Sequence, residues 1–155
     1  MEIRAIRSLQ TDQWNVLRSQ CLRFITQHGD QRITADAMIQ LESVTEQQLL
    51  ETGTQLLLAI ERVPIGKPRL IGVSFVRHYG EQTCLIVVHP TWRGMHLGTQ
   101  LMSEQISYLG YLTCQVALDN ISSLRMCFQA GLTAHRLTEG PTGKPTLAFE
   151  YDARR

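Results

Sequence analysis

The 155 residues predict one mixed α/β domain, α+β-like in its segregation, with a single central mixed sheet of about six to seven strands flanked by helices. Three observations predict it. Short runs rich in β-branched and apolar residues recur between turn-forming clusters. Longer stretches with apolar residues at helical spacing interrupt them. No internal repeat, low-complexity tract or long linker divides the chain, so residues 1–155 read as one domain, with a length sufficient for a real core.

Residues 2–7 alternate as an outer strand does and lack the apolar core of a signal peptide. From Gln13, the residues Trp14, Leu17, Cys21, Phe24 and Ile25 follow a helical period, and Gly29 can end that helix. A second helical stretch covers 34–42. A third, short one starts at Thr45, where Thr45 and Gln48 have the spacing of a capping box, and Gly53 closes the region. Two strands, Gln55–Arg62 and Arg69–His78, flank the turn at 63–68. After a turn at 79–82 comes the strand Thr83–Val88. A helix over Thr99–Leu109, a strand over Tyr111–Leu118 and a helix from Ile121 to Ala130, ended by Gly131, come next. The strands Leu132–Leu137 and Thr146–Asp152 finish the chain, joined by a hairpin loop over 138–145.

Composition excludes several function classes. Fifteen basic residues against 14 acidic ones give no electrostatic reason to expect nucleic acid or an anionic membrane as partner. No apolar run reaches the length of a membrane span. Cys21, Cys84, Cys114 and Cys127 lie in apolar patterns without a CxxC pair, so they read as buried free thiols of a protein in a reducing cytoplasm. The histidines lack ligand spacing with carboxylates or cysteines, and no metal is expected. Gly140–Thr146 has the wrong spacing for a phosphate loop, with Pro145 barring a helix. Gly94 and Gly98 lack the G-x-G opening of a dinucleotide fingerprint. No Gly-x-Ser-x-Gly elbow offers a serine nucleophile.

The stretch from Ile86 to Thr99 carries the chemistry. An apolar strand (Ile86, Val87, Val88) runs through His89 and Pro90 into the basic, glycine-bearing turn Arg93-Gly94-Met95-His96-Leu97-Gly98, and then into an apolar helix. A helix start presents unpaired N–H groups and a partial positive charge, which suit a phosphate or pyrophosphate. This turn resembles the acyl-CoA-binding signature of the GNAT superfamily of N-acetyltransferases, with Arg93, Gly94 and Gly98 matching. His96 stands where the family has glycine. It fits there if its φ is helical and its ring points away, and when protonated it can donate to a phosphate oxygen. A second block, Asp119 to Leu132, resembles the family's later strand-to-helix segment: Asn120 opens the helix and Gly131-Leu132 closes it.

The resemblance implies the GNAT fold and an acetyl-CoA-dependent N-acetyltransferase acting by direct attack of a primary amine, of a small molecule or peptide, on the bound thioester. It implies that the backbone of Ile86, Val87 and Val88 pairs with the pantetheine arm and that the amides of Gly94, Met95, His96, Leu97, Gly98 and Thr99 hold the pyrophosphate. Arg93 lies near the phosphates or caps the turn, and Asn120 holds the cofactor arm or the second helix start. The Val88 amide can polarise the thioester carbonyl. Residues 30–52 and 138–145 border the acceptor, and their acidic residues suit a cationic amine. Neither nucleic acid nor membrane is implied as partner, and the chain is a monomer or homodimer.

An amine of pKa ~10.4 costs about 4.6 kcal/mol to deprotonate at pH 7, whereas a thiolate of pKa ~8.5 costs only about 2 kcal/mol to release. A general base therefore matters more than an acid. The family's acid tyrosine position holds Cys127, with Tyr108 and Tyr111 as alternatives. Its glutamate position, five residues before Asn120, holds Gln115, which cannot take a proton. Glu81, His78 and His89, at the ends of the strand Thr83–Val88, are the remaining candidates for the base. Because the tyrosine and glutamate are missing, a non-catalytic acyl-CoA-binding sensor or interaction module is the alternative reading.

Overall fold

The computed structural model describes residues 1–140 and 143–154; Pro141 and Thr142 of the predicted hairpin loop lie outside the described residues. Seven strands and four α-helices run in the order β1 (Glu2–Ile6), α1 (Thr11–His28), α2 (Ala35–Ser43), β2 (Gln55–Glu61), β3 (Arg69–Arg77), β4 (Thr83–Val88), α3 (Leu97–Leu109), β5 (Tyr111–Ala117), α4 (Ile121–Gln129), β6 (Thr133–Glu139) and β7 (Pro145–Asp152). Each predicted strand and helix is present, with ends shifted by one or two residues. The capping box at Thr45 forms: Gln48 N–H donates to Thr45 Oγ1 (3.1 Å) and Thr45 N–H to Gln48 Oε1 (2.9 Å). It starts a single 3-10 turn, Gln48–Leu50, rather than a longer helix. No helix among the described residues is long and apolar enough to cross a membrane.

The strand count matches expectation, but the single mixed sheet does not form. The strands make two antiparallel sheets, β1-β2-β3-β4 and β5-β7-β6. No ladder joins β4 to β5, and side chains from α3 and α4 (Met102, Met126, Cys127) line the gap between them. Period-two patterning shows that a segment is a strand but not which strand it pairs with.

Alternation along β4 assigns its faces. Leu85 and Val87 pack with α1 and α2 in a core that holds Trp14, Phe24, Ile25, Leu41 and Phe75. Ile86 turns the other way and packs on the α3 side. Trp14, fully buried, donates its indole N–H to Val44 O (2.8 Å), tying α1 to the end of α2.

Helix α3 lies across both sheets. Leu97 and Leu101 pack on Leu57, Ala59 and Ile71 of the first sheet. Met102 and Ile106 pack on Leu112, Cys114 and Phe149 of the second. A buried polar contact fixes its position: Gln105 Nε2 donates to Ser74 Oγ (3.0 Å), with the carbonyls of Ser74 and Gln55 both at 3.2 Å, and Gln105 Oε1 accepts from Gln55 Nε2 (3.0 Å). Arg7 completes the chain by donating to Gln55 Oε1. A buried amide satisfied on both ends specifies one registration of the helix, because any slip would leave donors and acceptors unpaired.

The two sheets touch where β4 and β5 begin. The turn His78–Gly80 lies against β5 so closely that a Cβ on Gly80 would sit 1.8 Å from the Thr113 carbonyl oxygen, and Gly80 has φ +93°. Gly110 has a similar φ, +73°, with open space around it. Gly110→Ala is therefore expected to cost about 1 kcal/mol from left-handed strain alone, and Gly80→Ala about 2 kcal/mol more from overpacking. The midpoints of urea unfolding of the two variants measure that difference.

Candidate active site

Between β4 and β5 runs a cleft of ≈ 780 Å³, lined by Cys84 and Cys114 of the two strands and by residues at the starts of α3 and α4. Of the sequence-predicted residues, Ile86, Val87, Val88, Arg93, Gly94, His96, Leu97, Gly98, Thr99, Asn120 and Cys127 line it. Met95 does not. Neither does Glu81, which is exposed on the turn before β4. His78 sits on the same turn.

The open edge of β4 arises from its hydrogen bonds. His89 N–H donates to Ile71 O (2.8 Å), continuing the ladder with β3. Strand alternation then turns the N–H and C=O of Val88 and Ile86 away from β3 and towards the cleft, while those of Val87 stay in the ladder. Only two of the three expected residues thus offer main-chain groups to a ligand strand. The Val88 carbonyl already accepts from Arg93 Nε (3.3 Å), so its N–H is the stronger point of attachment.

The turn into α3 uses two left-handed residues. Gly94 has φ +75° and no atom within 4 Å of where a Cβ would stand. His96, the N-cap residue, has φ +62° and ψ +15° and makes no side-chain cap. The helical φ expected of His96 is thus corrected to a left-handed one, the conformation that explains why glycine suits this position. With no side-chain cap, the first amides of α3 have no capping partner. Gly98 has a packing reason of its own: a Cβ there would come within 2.9 Å of Met126 Sδ on α4. Thr99 Oγ1 reaches Gln129 Oε1 (3.1 Å), so the two helices are joined directly.

Arg93 lines the cleft and is held by several partners. Its guanidinium pairs with Asp30 (2.7 Å) and donates to His28 O (2.8 Å) and Val88 O, sewing the end of α1 to the end of β4. No local pattern marks this contact, because Arg93 and His28 lie far apart along the chain. His28 also lines the cleft, its ring 4.6 Å from that of His89. Burial, then the neighbouring His89 and Arg93, lower its pKa. His89 Nδ1 accepts from Thr91 N–H (3.2 Å) and caps the short turn Pro90–Trp92.

Asn120 caps α4, its Oδ1 accepting from Ser123 N–H (3.4 Å). Cys127 is fully buried, 3.8 Å from Cys114 Sγ. That contact, and then burial, push its thiol far above the usual range. Cys114 is raised as well. Gln115 and Ala117 of β5 line the facing wall.

No family model and no curated protein matches this sequence. Solved structures do match. A point mutant of spermidine N-acetyltransferase SpeG from Vibrio cholerae aligns at 13% identity over 97% of this chain and 94% of its own, with a TM-score of 0.63. An acetyltransferase of the GNAT family from Streptococcus pneumoniae aligns at 18% identity over 97% and 98%, with a TM-score of 0.62. YjaB from Escherichia coli aligns at 21% identity over 97% and 98%, with a TM-score of 0.54. The chain has the fold of the GNAT acetyltransferases.

The local geometry sets two expected outcomes. His96→Gly is expected to exceed His96→Ala in stability by about 1 kcal/mol, since alanine keeps the left-handed strain and glycine removes it. In a chain of this size that gap is about 2–4 °C in Tm. His28 binds its proton less readily folded than unfolded, so its contribution is present above about pH 6.5 and fades as pH falls below it. The Tm loss from pH 7.5 to pH 5.5 should accordingly be smaller in His28→Asn than in the parent, as read by calorimetry.

Proposed function

We propose that this chain is an acetyl-CoA-dependent N-acetyltransferase that passes the acetyl group directly to an amine. One observation carries the reading: a β-strand edge with unpaired main-chain groups runs into a helix start with unpaired N–H groups, both facing one cleft. An extended amide-bearing arm ending in a diphosphate is complementary to that pair of features.

In this reading the amides of Leu97, Gly98 and Thr99 hold the diphosphate, helped by the helix dipole, and the turn at Gly94 leaves room for its approach. Ile86 and Val88 pair with the pantetheine arm. Val88 N–H donates to the thioester carbonyl oxygen, where negative charge grows as the amine attacks. Asn120 holds α4 in place through its cap. Bound acetyl-CoA supplies an acyl carbon activated as a thioester.

Cys127 is a poor proton donor in this scheme. Its raised thiol would have to protonate a leaving thiolate of pKa ~8.5, an uphill transfer, so the thiolate departs unprotonated at a cost of about 2 kcal/mol. Cys127 then serves as packing beside the acyl group. Glu81, outside the cleft, takes no part in proton removal, and the amine enters neutral or loses its proton to water. The free thiols fit a reducing compartment such as the cytoplasm.

Acetyl-CoA at a hundred times its Kd should stabilise the fold by about 2.7 kcal/mol, or roughly 5–10 °C in Tm. Thiol release with an amine panel should then show turnover, with Glu81→Gln unchanged and Cys127→Ala reduced less than about tenfold. No stabilisation and no release would overturn the reading. Tight binding without release for any amine would favour the acyl-CoA-binding module, which Gln115 and the protonated Cys127 also fit.

A further inference from the structure

The charges of the cleft bear on the acceptor, provided the acetyltransferase reading above holds. The acidic residues expected to attract a cationic amine are not gathered here. Among the described residues, Asp30 is the one carboxylate lining the cleft, and it is engaged by Arg93. Arg32, Arg93, Arg125 and Lys144 line it as cations.

Two of these cations meet beside the start of α4. Arg32 comes from the segment between α1 and α2, and Lys144 from the segment before β7. They converge on Asp119, just after β5, with Arg32 Nη1 on Oδ1 (2.9 Å) and Lys144 Nζ on Oδ2 (2.9 Å). Lys144 and then Arg32 hold the Asp119 carboxyl below the usual carboxylate range, so it stays ionised. Two cations thus share one anion, and one positive charge is left over. Each cation retains donors, since a guanidinium carries five N–H groups and an ammonium three. Gln115, on the same stretch of β5, adds a neutral amide and no acid.

A second carboxylate would complete this group as a square of two cations and two anions. A second ammonium would be repelled. We infer that the acceptor is an amino-carboxylate, an α-amino acid or a compound of that kind, whose carboxylate is received by Arg32 and Lys144 while its amine faces the acyl carbon. The fold is shared with a spermidine acetyltransferase, but this wall is suited to the opposite charge.

The test is thiol release at saturating acetyl-CoA with the standard amino acids, their carboxamides, putrescine and spermidine. The best amino acid should exceed its own carboxamide and both polyamines by about tenfold or more in kcat/KM. Arg32→Gln and Lys144→Gln should each cut that ratio about fivefold through KM, with Lys144→Arg restoring it and the Kd of acetyl-CoA held within about twofold. Equal turnover of acid and carboxamide, a preference for polyamine, or weakened acetyl-CoA binding in either glutamine variant overturns the inference, the last by assigning these cations to the phosphates. Should no amine release thiol, the transferase reading falls by itself. Calorimetric titration of the protein, with and without acetyl-CoA, then decides: binding of acid but not carboxamide upholds the carboxylate site, and no discrimination overturns it.

Discussion

The gap between β4 and β5 governs the architecture of this molecule. A sheet edge inside a protein leaves main-chain groups unpaired, and such groups must meet water, a side chain or a ligand. Here two edges face each other across a cleft. They are kept apart by Met102, Met126 and Cys127 and kept from drifting by α3, whose one apolar face packs on both sheets. The Gln105 network is the pin for that helix. Together with that packing, it sets the helix start that faces the cleft relative to the strand edge beside it.

Local strain accompanies the same place. A histidine in left-handed conformation at the cap of α3 is held there by the structure around it, and such strain collects where a chain must bring its main chain near a ligand. The turn is braced from below by Arg93, which ties His28, Asp30 and Val88 into one corner. Two parts of the cleft lining are therefore built differently. One relies on main-chain dipoles, the other on the Arg32, Asp119 and Lys144 side chains at a junction of three segments. Main-chain dipoles cannot be altered one at a time by substitution, whereas side-chain charges can.

Much of the fold was legible in the chain. The period of Trp14, Cys21 and Ile25 marked α1, and the β-branched run at Thr83–Val88 marked β4 to the residue. The strand-to-helix turn at residues 93–99 also carried its own signal, because glycine, a basic residue and a helix start are local properties. Reciprocal capping at Thr45 and Gln48 could be read from spacing for the same reason.

Residue order along the chain was thus enough for the elements, their succession and the presence of a phosphate-suited helix start, all set by interactions within a few residues. Folding in three dimensions added the remainder. It split the strands into two sheets, turned the main-chain groups of Val88 towards the cleft and those of Val87 into the ladder, and placed Glu81 outside the cleft. It buried Cys127 against Cys114, and it brought Arg32 and Lys144 to Asp119 from positions 87 and 25 residues away. Pairing, burial and charge all depend on which distant segments come into contact, and residue spacing along one chain does not encode that contact.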